Sequence, residues 1–335
     1  MSDGLSSTAT PLLRAPVRWC GWLLMAAVGC SRPSGKETTE KSHQSLPSNA
    51  ARNAAEAPRP EPSRLYQLDT SAYTATLAAD DDESLYVLTS HAAYRLRVGE
   101  PASHWALELG DTPALSARGI VYWLDGALRM VPKQGGPAQI LARVPRPPRH
   151  LRAARDHLAW VEPDAGGAHL RTLDGSEPRS LFRSSGDIEA LALMDDRAYF
   201  VGRNRERWRL GTVGLGGGSP RFTEQYATRT PALLATAGDV FFYDGPSSTV
   251  RRFSSGLERE DVVGRDVICS PLAVSERIYC SQISLLFELP RDGGPARVLT
   301  PKRAGTIAAL VATKTRLAWL LDVGENRSEV EVLPL

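Results

Sequence analysis

Val121-Tyr122-Trp123-Leu124-Asp125-Gly126-Ala127-Leu128-Arg129-Met130-Val131-Pro132 carries two patterns in twelve residues. Its first four positions are apolar without interruption, whereas Leu128 to Val131 alternates. A short continuous apolar run suits a strand buried on both faces, and alternation suits a strand with one face turned toward polar surroundings. The first pattern recurs along the chain as Leu85-Tyr86-Val87-Leu88, Leu158-Ala159-Trp160-Val161, Ala198-Tyr199-Phe200-Val201, Val240-Phe241-Phe242-Tyr243, Ile278-Tyr279-Cys280-Ser281 and Leu317-Ala318-Trp319-Leu320. Its second positions (86, 122, 159, 199, 241, 279 and 318) are 36, 37, 40, 42, 38 and 39 residues apart.

That spacing fits, or falls just short of, the ~40 to 50 residue period of four-stranded propeller blades. A Leu/Ala stretch precedes each core by a few positions, three times behind a proline: Pro113-Ala114-Leu115, Pro231-Ala232-Leu233 and Pro271-Leu272-Ala273. It reads as the innermost strand of a blade, joined to the core strand by turn residues such as Ala237-Gly238-Asp239. The alternating third strand breaks at glycine-rich turns such as Arg291-Asp292-Gly293-Gly294-Pro295, and a fourth strand follows, as in Gln139-Ile140-Leu141. No helical 3.6 period runs through any unit. The expected fold class is all-β, a single β-propeller of seven four-stranded blades, with six blades as the alternative count.

The last unit ends on its third strand, Glu329-Val330-Glu331-Val332-Leu333, while an orphan strand, Leu65-Tyr66-Gln67-Leu68, precedes the first unit. The N-terminal strand is therefore expected to close the last blade, which leaves no sheet edge open. Segments such as Val121-Tyr122-Trp123-Leu124-Asp125 through Val131-Pro132-Lys133-Gln134-Gly135-Gly136 resemble YWTD-type and related bacterial TolB-like β-propellers. The resemblance covers roughly four-fifths of the chain and implies a propeller, an architecture that hosts binding modules and enzymes alike.

The N-terminus reads as an address. Arg14 and Arg18 precede an apolar run from Trp19 to Val28, too short for the ~20 residues that span a bilayer. Ala27-Val28-Gly29-Cys30 resembles the lipobox of bacterial lipoproteins, which implies a signal peptide over 1–29 and a lipid on Cys30. Residues 30–63 are rich in Ser, Pro, Ala, Glu and Lys and read as a disordered tether, leaving 64–335 for the propeller. Ser31 resembles an outer-membrane sorting signal, so the expected location is the periplasmic face of the outer membrane, with surface exposure as the alternative. The expected partners are the membrane, through the lipid, and a protein or other envelope component.

With 42% hydrophobic residues and a mean hydropathy of -0.24, the 335-residue chain is neither polytopic in a membrane nor wholly disordered. Forty Lys and Arg against 38 Asp and Glu give +2, no excess that would call for nucleic acid.

Chemistry-bearing motifs are sparse. Cys269 and Cys280 are placed on the first and second strands of the sixth unit, where they form a disulfide, or where Cys280 only fills an apolar slot. Asp80-Asp81-Asp82-Glu83 weighs as a solvated turn against a calcium site. Gly214-Leu215-Gly216-Gly217-Gly218 reads as a hairpin turn, because it lacks the Lys-Ser/Thr ending and helix of a phosphate loop. The six histidines show no HExxH spacing and no GxSxG elbow accompanies them; most read as solvated loop residues. Arg143, Arg146, Arg149, Arg152 and Arg155 form the longest basic stretch, a candidate docking patch weighed against a solvated connection between blades. Arg203, Arg205, Arg207 and Arg209, beside Trp208, form a second basic hairpin.

No catalytic constellation, metal set or cofactor motif emerges, and the innermost strands read as largely apolar and small. The functional expectation is a lipid-anchored, non-catalytic binding or scaffold protein of the bacterial envelope. The alternative is a metal-dependent hydrolase, lactonase or lyase acting at the central channel. A lectin is disfavoured because the repeated aromatics sit in buried strands.

Overall fold

The computed structural model describes residues 61–69, 71–72, 75–79, 84–107, 109–133, 135–204, 207–226, 232–236, 238–300 and 304–335. Cys30, the expected signal peptide and nearly all of the tether, together with the Asp80 to Glu83 cluster, lie outside the described residues. The rest is all-β, in seven four-stranded antiparallel sheets. The chain opens with β1 (Ser63–Leu68). Blade 1 comprises β2 (Thr76–Ala79), β3 (Ser84–Leu88), β4 (Ala92–Arg97) and β5 (Ser103–Leu107); blade 2 comprises β6 (Asp111–Leu115), β7 (Gly119–Leu124), β8 (Ala127–Pro132) and β9 (Gln139–Arg143). Blade 3 is β10 (Arg149–Ala154), β11 (His157–Asp164), β12 (Gly167–Asp174) and β13 (Glu177–Ser184), and blade 4 is β14 (Ile188–Met194), β15 (Arg197–Asn204), β16 (Arg207–Gly214) and β17 (Arg221–Tyr226). Blade 5 holds β18 (Ala232–Thr236), β19 (Asp239–Asp244), β20 (Thr249–Ser254) and β21 (Glu260–Gly264). Blade 6 holds β22 (Leu272–Val274), β23 (Arg277–Gln282), β24 (Leu285–Pro290) and β25 (Arg297–Val298). Blade 7 has β26 (Thr306–Ala312), β27 (Arg316–Gly324) and β28 (Arg327–Pro334), completed by β1.

The ring closes between the first and last strands. Ser63 lies opposite Val332 and Leu68 opposite Ser328, so the main-chain groups on the outer side of β28 are paired rather than left as an open edge. Seven sheets rule out the six-blade count.

Each second strand is apolar on both faces because each face meets a different blade. Ala198 and Phe200 of β15 join a cluster with Val161 and Leu170 of blade 3, whereas Tyr199 and Val201 join one with Val240 and Phe242 of blade 5. Side chains alternate across a strand, so one four-residue run supplies both interfaces. The same sharing recurs around the ring, from the cluster between blades 7 and 1 to that between blades 6 and 7. The tight turn between β7 and β8 uses Asp125 and Gly126, at φ 51° and 76°, a conformation that glycine reaches without steric cost and aspartate tolerates.

Other glycines serve contact rather than turn. A Cβ on Gly110, at the start of the second blade, would lie 1.8 Å from the main-chain oxygen of Trp123; on Gly186 and Gly305, at the same place in blades 4 and 7, it would lie 2.3 Å from the oxygens of Arg203 and Asp322. The opposing atom belongs to backbone and cannot swing away. Gly110→Ala is expected to destabilise the protein by about 2 kcal/mol or more, read as a lowered urea midpoint with unchanged slope. An unchanged midpoint overturns the close-approach reading.

Candidate functional site

The innermost strands β2, β6, β10, β14, β18, β22 and β26 touch one another in that order and return from β26 to β2, so they surround a central channel. Four of them, β2, β18, β22 and β26, carry no charged residue. The charges are Asp111 on β6, Arg149 and Arg152 on β10, and Glu189 on β14. The channel is thus polar on blades 2 to 4 and apolar across from them. Asp111, Arg149 and Glu189 sit in the first two residues of their strands, whereas Arg152 is fourth in β10 and lies deeper.

β10 owes its arrangement to a bulge. Arg149 faces Val161 and Arg152 faces Ala159, so His150 and Leu151 share the place opposite Trp160. His150 absorbs the extra residue at φ 49°, and Thr112 does the same in β6 at φ 50°. Bulges re-aim the side chains beside them.

Arg152 reaches into the next blade. Its Nε donates to the main-chain oxygen of Leu191 on β14 at 3.1 Å, and its Nη1 donates to that of Leu151 at 3.0 Å. Among the described residues no carboxylate forms an ion pair with it. The side chain keeps solvent contact, yet protein encloses it closely enough that burial lowers its pKa. Arg152 is thus a solvent-exposed cation on the channel wall. A guanidinium remains protonated at neutral pH even so.

The His150 ring is pushed down to about 4, first by burial and then by the positive charges of Arg152 and Arg149. It is neutral at pH 7. The unfolded chain binds this proton near pH 6.5 and the folded chain only near pH 4, so stability is greatest above pH 6.5 and falls as the pH drops toward 4. Allowing for the solvent that reaches the half-buried ring, the loss is about 2 kcal/mol. His150→Asn, which tolerates the left-handed backbone, is expected to remove that part of the acid dependence. Urea midpoints of both proteins at pH 7 and pH 4.5 measure it, and identical acid losses overturn the assignment.

The five arginines of the basic stretch are not gathered into one patch. β10 extends about 20 Å at ~3.3 Å per residue, with Arg149 at its start and Arg155 just past its end. Arg143, Arg146 and Arg149 lie toward one rim, where Arg146 donates to the Pro163 carbonyl at 3.4 Å and Arg149 pairs with Asp187 at 3.7 Å. Arg155 pairs with Asp195 at 3.4 Å on the opposite rim, and Arg152 is inside. In the second basic hairpin, Arg203 lies over the Trp208 ring at 5.7 Å and Arg209 over Phe222 at 4.6 Å; Arg205 lies outside the described residues.

Cys269 and Cys280 are joined as a disulfide with Cα atoms 4.5 Å apart. Cys269 is not on the first strand of blade 6 as its sequence position suggested. It precedes β22, which starts only at Leu272, because Pro271 carries no N–H to extend the ladder. The histidines also depart from expectation: His104, His150, His157 and His169 are on strands, and His169 is 3.3 Å from Asp164. Gly214 to Gly218 does form the turn from β16 to β17.

A separate cleft of about 320 Å³ between blades 6 and 7 is lined by residues including Tyr279, Glu288, Arg297 and Lys314. Glu288 is buried there, accepts from Arg297 Nε at 2.7 Å and lies 3.5 Å from Arg277. That carboxylate is held as a structural counter-charge. Among the described residues no three His, Cys, Asp or Glu side chains are grouped to hold a metal ion.

No protein-family model and no curated protein matches the sequence. Solved structures do match. The chain is a seven-bladed β-propeller. It is similar to an oligogalacturonate lyase in complex with manganese (TM-score 0.61, 11% identity, 81% of this chain and 98% of that one). It is similar also to a virginiamycin B lyase from Staphylococcus aureus solved with quinupristin (TM-score 0.57, 10% identity, 81% and 99%). A third likeness is to PorZ, a surface component of the type-IX secretion system of Porphyromonas gingivalis (TM-score 0.51, 14% identity, 82% and 39%). Identities this low speak for the fold alone.

Proposed function

We propose that the chain is a non-catalytic binding protein of the bacterial cell envelope, held to the outer membrane by a lipid on Cys30 and presenting its channel and rims to a partner. The observation that carries the reading is the channel wall, where Arg152 is fixed by the carbonyls of Leu191 and Leu151 across from uncharged strands, an arrangement suited to recognition; the shifts of several titratable groups accompany it. General acid–base catalysis needs a group poised near the working pH. His150 moves away from neutrality, down to about 4. Tyr122, Tyr199 and Tyr279 move up, chiefly through burial. Asp164 is lowered by a hydrogen bond from the Ala165 N–H and Asp261 by one from Arg252. These shifts hold each group in one protonation state, which suits fixed recognition. The Cys269–Cys280 disulfide supports an oxidising, extracytoplasmic compartment.

Cross-linking in the native envelope, followed by mass spectrometry, tests the binding role. A reproducible protein or envelope partner supports it, and none after efficient cross-linking overturns it. Cys30→Ala tests the anchor: release from the membrane fraction is expected, and continued partitioning with membranes refutes the lipid assignment. Elemental analysis after dialysis bears on the hydrolase, lactonase or lyase alternative, since stoichiometric calcium or zinc would favour it.

A further inference from the structure

We propose that the central channel binds a ligand that carries one carboxylate on an apolar body, with Arg152 as the residue that recognises the carboxylate. The inference rests on the channel's being a binding site, and it adds the class of ligand.

Arg152 is the one charged residue among the seven innermost strands that lies beyond their first two positions. A guanidinium has five N–H donors. Two are engaged, by the main-chain oxygens of Leu191 and Leu151. These bonds come from Nε and Nη1, so three donors stay available at the Nη1–Nη2 end. That end is the planar fork that matches the two oxygens of a carboxylate.

The two existing bonds hold the fork in place before a ligand arrives, which reduces the ordering cost of binding. Neither partner cancels its charge, because both are neutral carbonyls. The guanidinium is open to the channel solvent and, among the described residues, has no carboxylate partner, so an incoming carboxylate reaches it without displacing a counter-ion. The neighbouring His150 is neutral at pH 7 and adds no competing charge.

The rest of the wall selects the body of the ligand. β18 reads Ala-Leu-Leu-Ala-Thr and β26 Thr-Ile-Ala-Ala-Leu-Val-Ala, mostly half-buried, and offer apolar surface without a second cation, while Leu272 to Val274 of β22 are buried between the blades. Near the channel mouth Asp111 and Glu189 outnumber Arg149, which is itself paired with Asp187 at 3.7 Å, and so disfavour ligands with several negative charges. A singly charged carboxylate with an alkyl or aryl body meets all three conditions, and inorganic phosphate meets only the first.

The test uses the purified full-length chain and hexanoate, with hexan-1-ol, inorganic phosphate and chloride as comparison probes at constant ionic strength. Hexanoate is expected to raise the thermal midpoint saturably while the other three do not. Arg152→Gln is expected to weaken hexanoate binding about tenfold or more, the loss of a charge-assisted pair. Arg152→Lys keeps the charge but loses the fork, and is expected to fall between them; it also serves if Arg152→Gln does not fold. Equal shifts with hexanoate and hexan-1-ol, tighter binding of phosphate, or hexanoate affinity unchanged in either variant each overturn the proposal. Cross-linking that recovers no partner defeats the envelope-binding reading but leaves the hexanoate result intact, so the two failures are distinguishable.

Discussion

A chain shortened to start at Asp69 is expected to lose cooperative folding, or to unfold at least about 10 °C below a chain that starts at Pro62. The two differ by the β1 strand and its first neighbour. Without it, β28 keeps β27 on one side and faces solvent on the other, although Val330 and Val332 are buried in the intact ring. Leu68 leaves the cluster it shares with Leu77, Leu85 and Leu320, and Leu65 and Tyr66 leave its margin. The Arg64–Glu329 pair at 2.9 Å is also lost, but such exposed pairs contribute at most about 1 kcal/mol.

Main-chain pairing and apolar burial weigh more, at roughly 1 kcal/mol for each lost hydrogen bond and about 1.5–3 kcal/mol for each fully buried apolar side chain released. Their sum is of the order of 5–10 kcal/mol, comparable with the whole stability of a folded domain. At about 2–4 °C per kcal/mol for a domain of this size class, the shift exceeds 10 °C. Circular dichroism during heating, with light scattering for edge-to-edge association, reads the result. Equal midpoints for the two chains refute the claim that closure by β1 stabilises the ring.

Trp319→Ala is expected to cost about 3–5 kcal/mol, and Trp319→Phe less than about 1.5 kcal/mol. Trp319 is fully buried in the cluster between blades 6 and 7, against residues that include Tyr279, Ile307 and Leu333. Removing the whole side chain leaves a cavity that seven interlocked sheets cannot collapse to fill. The indole N–H, however, is buried without a hydrogen-bond partner, and an unpaired buried donor already costs about 1–3 kcal/mol. Phenylalanine keeps much of the aromatic packing and removes that donor, so part of the lost contact area is offset. Urea denaturation of both variants separates the contributions. If Trp319→Phe is as damaging as Trp319→Ala, the indole N–H makes a bond that the packing conceals.

Much of the fold was legible in the sequence because buried second strands have a local signature. A strand between two blades must be apolar on both faces, and that requirement repeats with each blade, at 86, 122, 159, 199, 241, 279 and 318. The closing strand was legible by subtraction, since a seventh unit lacking its fourth strand and an orphan strand at the other end complete each other. The glycines were only half legible. Gly110, Gly186 and Gly305 recur at the start of their units, a signal that was there to be found, but sequence alone does not reveal that the reason is a carbonyl of the adjacent strand.

The channel was far less legible. Arginines at 143, 146, 149, 152 and 155 look like one basic patch in linear order, yet an extended strand carries its residues about 3.3 Å apart and distributes them between two rims and the interior. The β10 bulge leaves no mark in a residue pattern, because His150 takes a left-handed conformation at a position where no glycine announces it. Arg152 therefore reads as one cation among five until its neighbours across the blade boundary are known.

The sequence by itself determined the all-β class and the seven units, because both depend on patterns within about 40 residues of chain, and the place where the ring closes, because the strand missing from the last unit matches the orphan strand before the first. Only the tertiary structure decided which polar groups stand together in the channel, since that juxtaposition is made by strands from different blades. The donor on Arg152 meets the carbonyl of Leu191, 39 residues away in sequence. A contact of that kind has no local period: it depends on how adjacent blades are set against each other and on a bulge that shifts one strand's register.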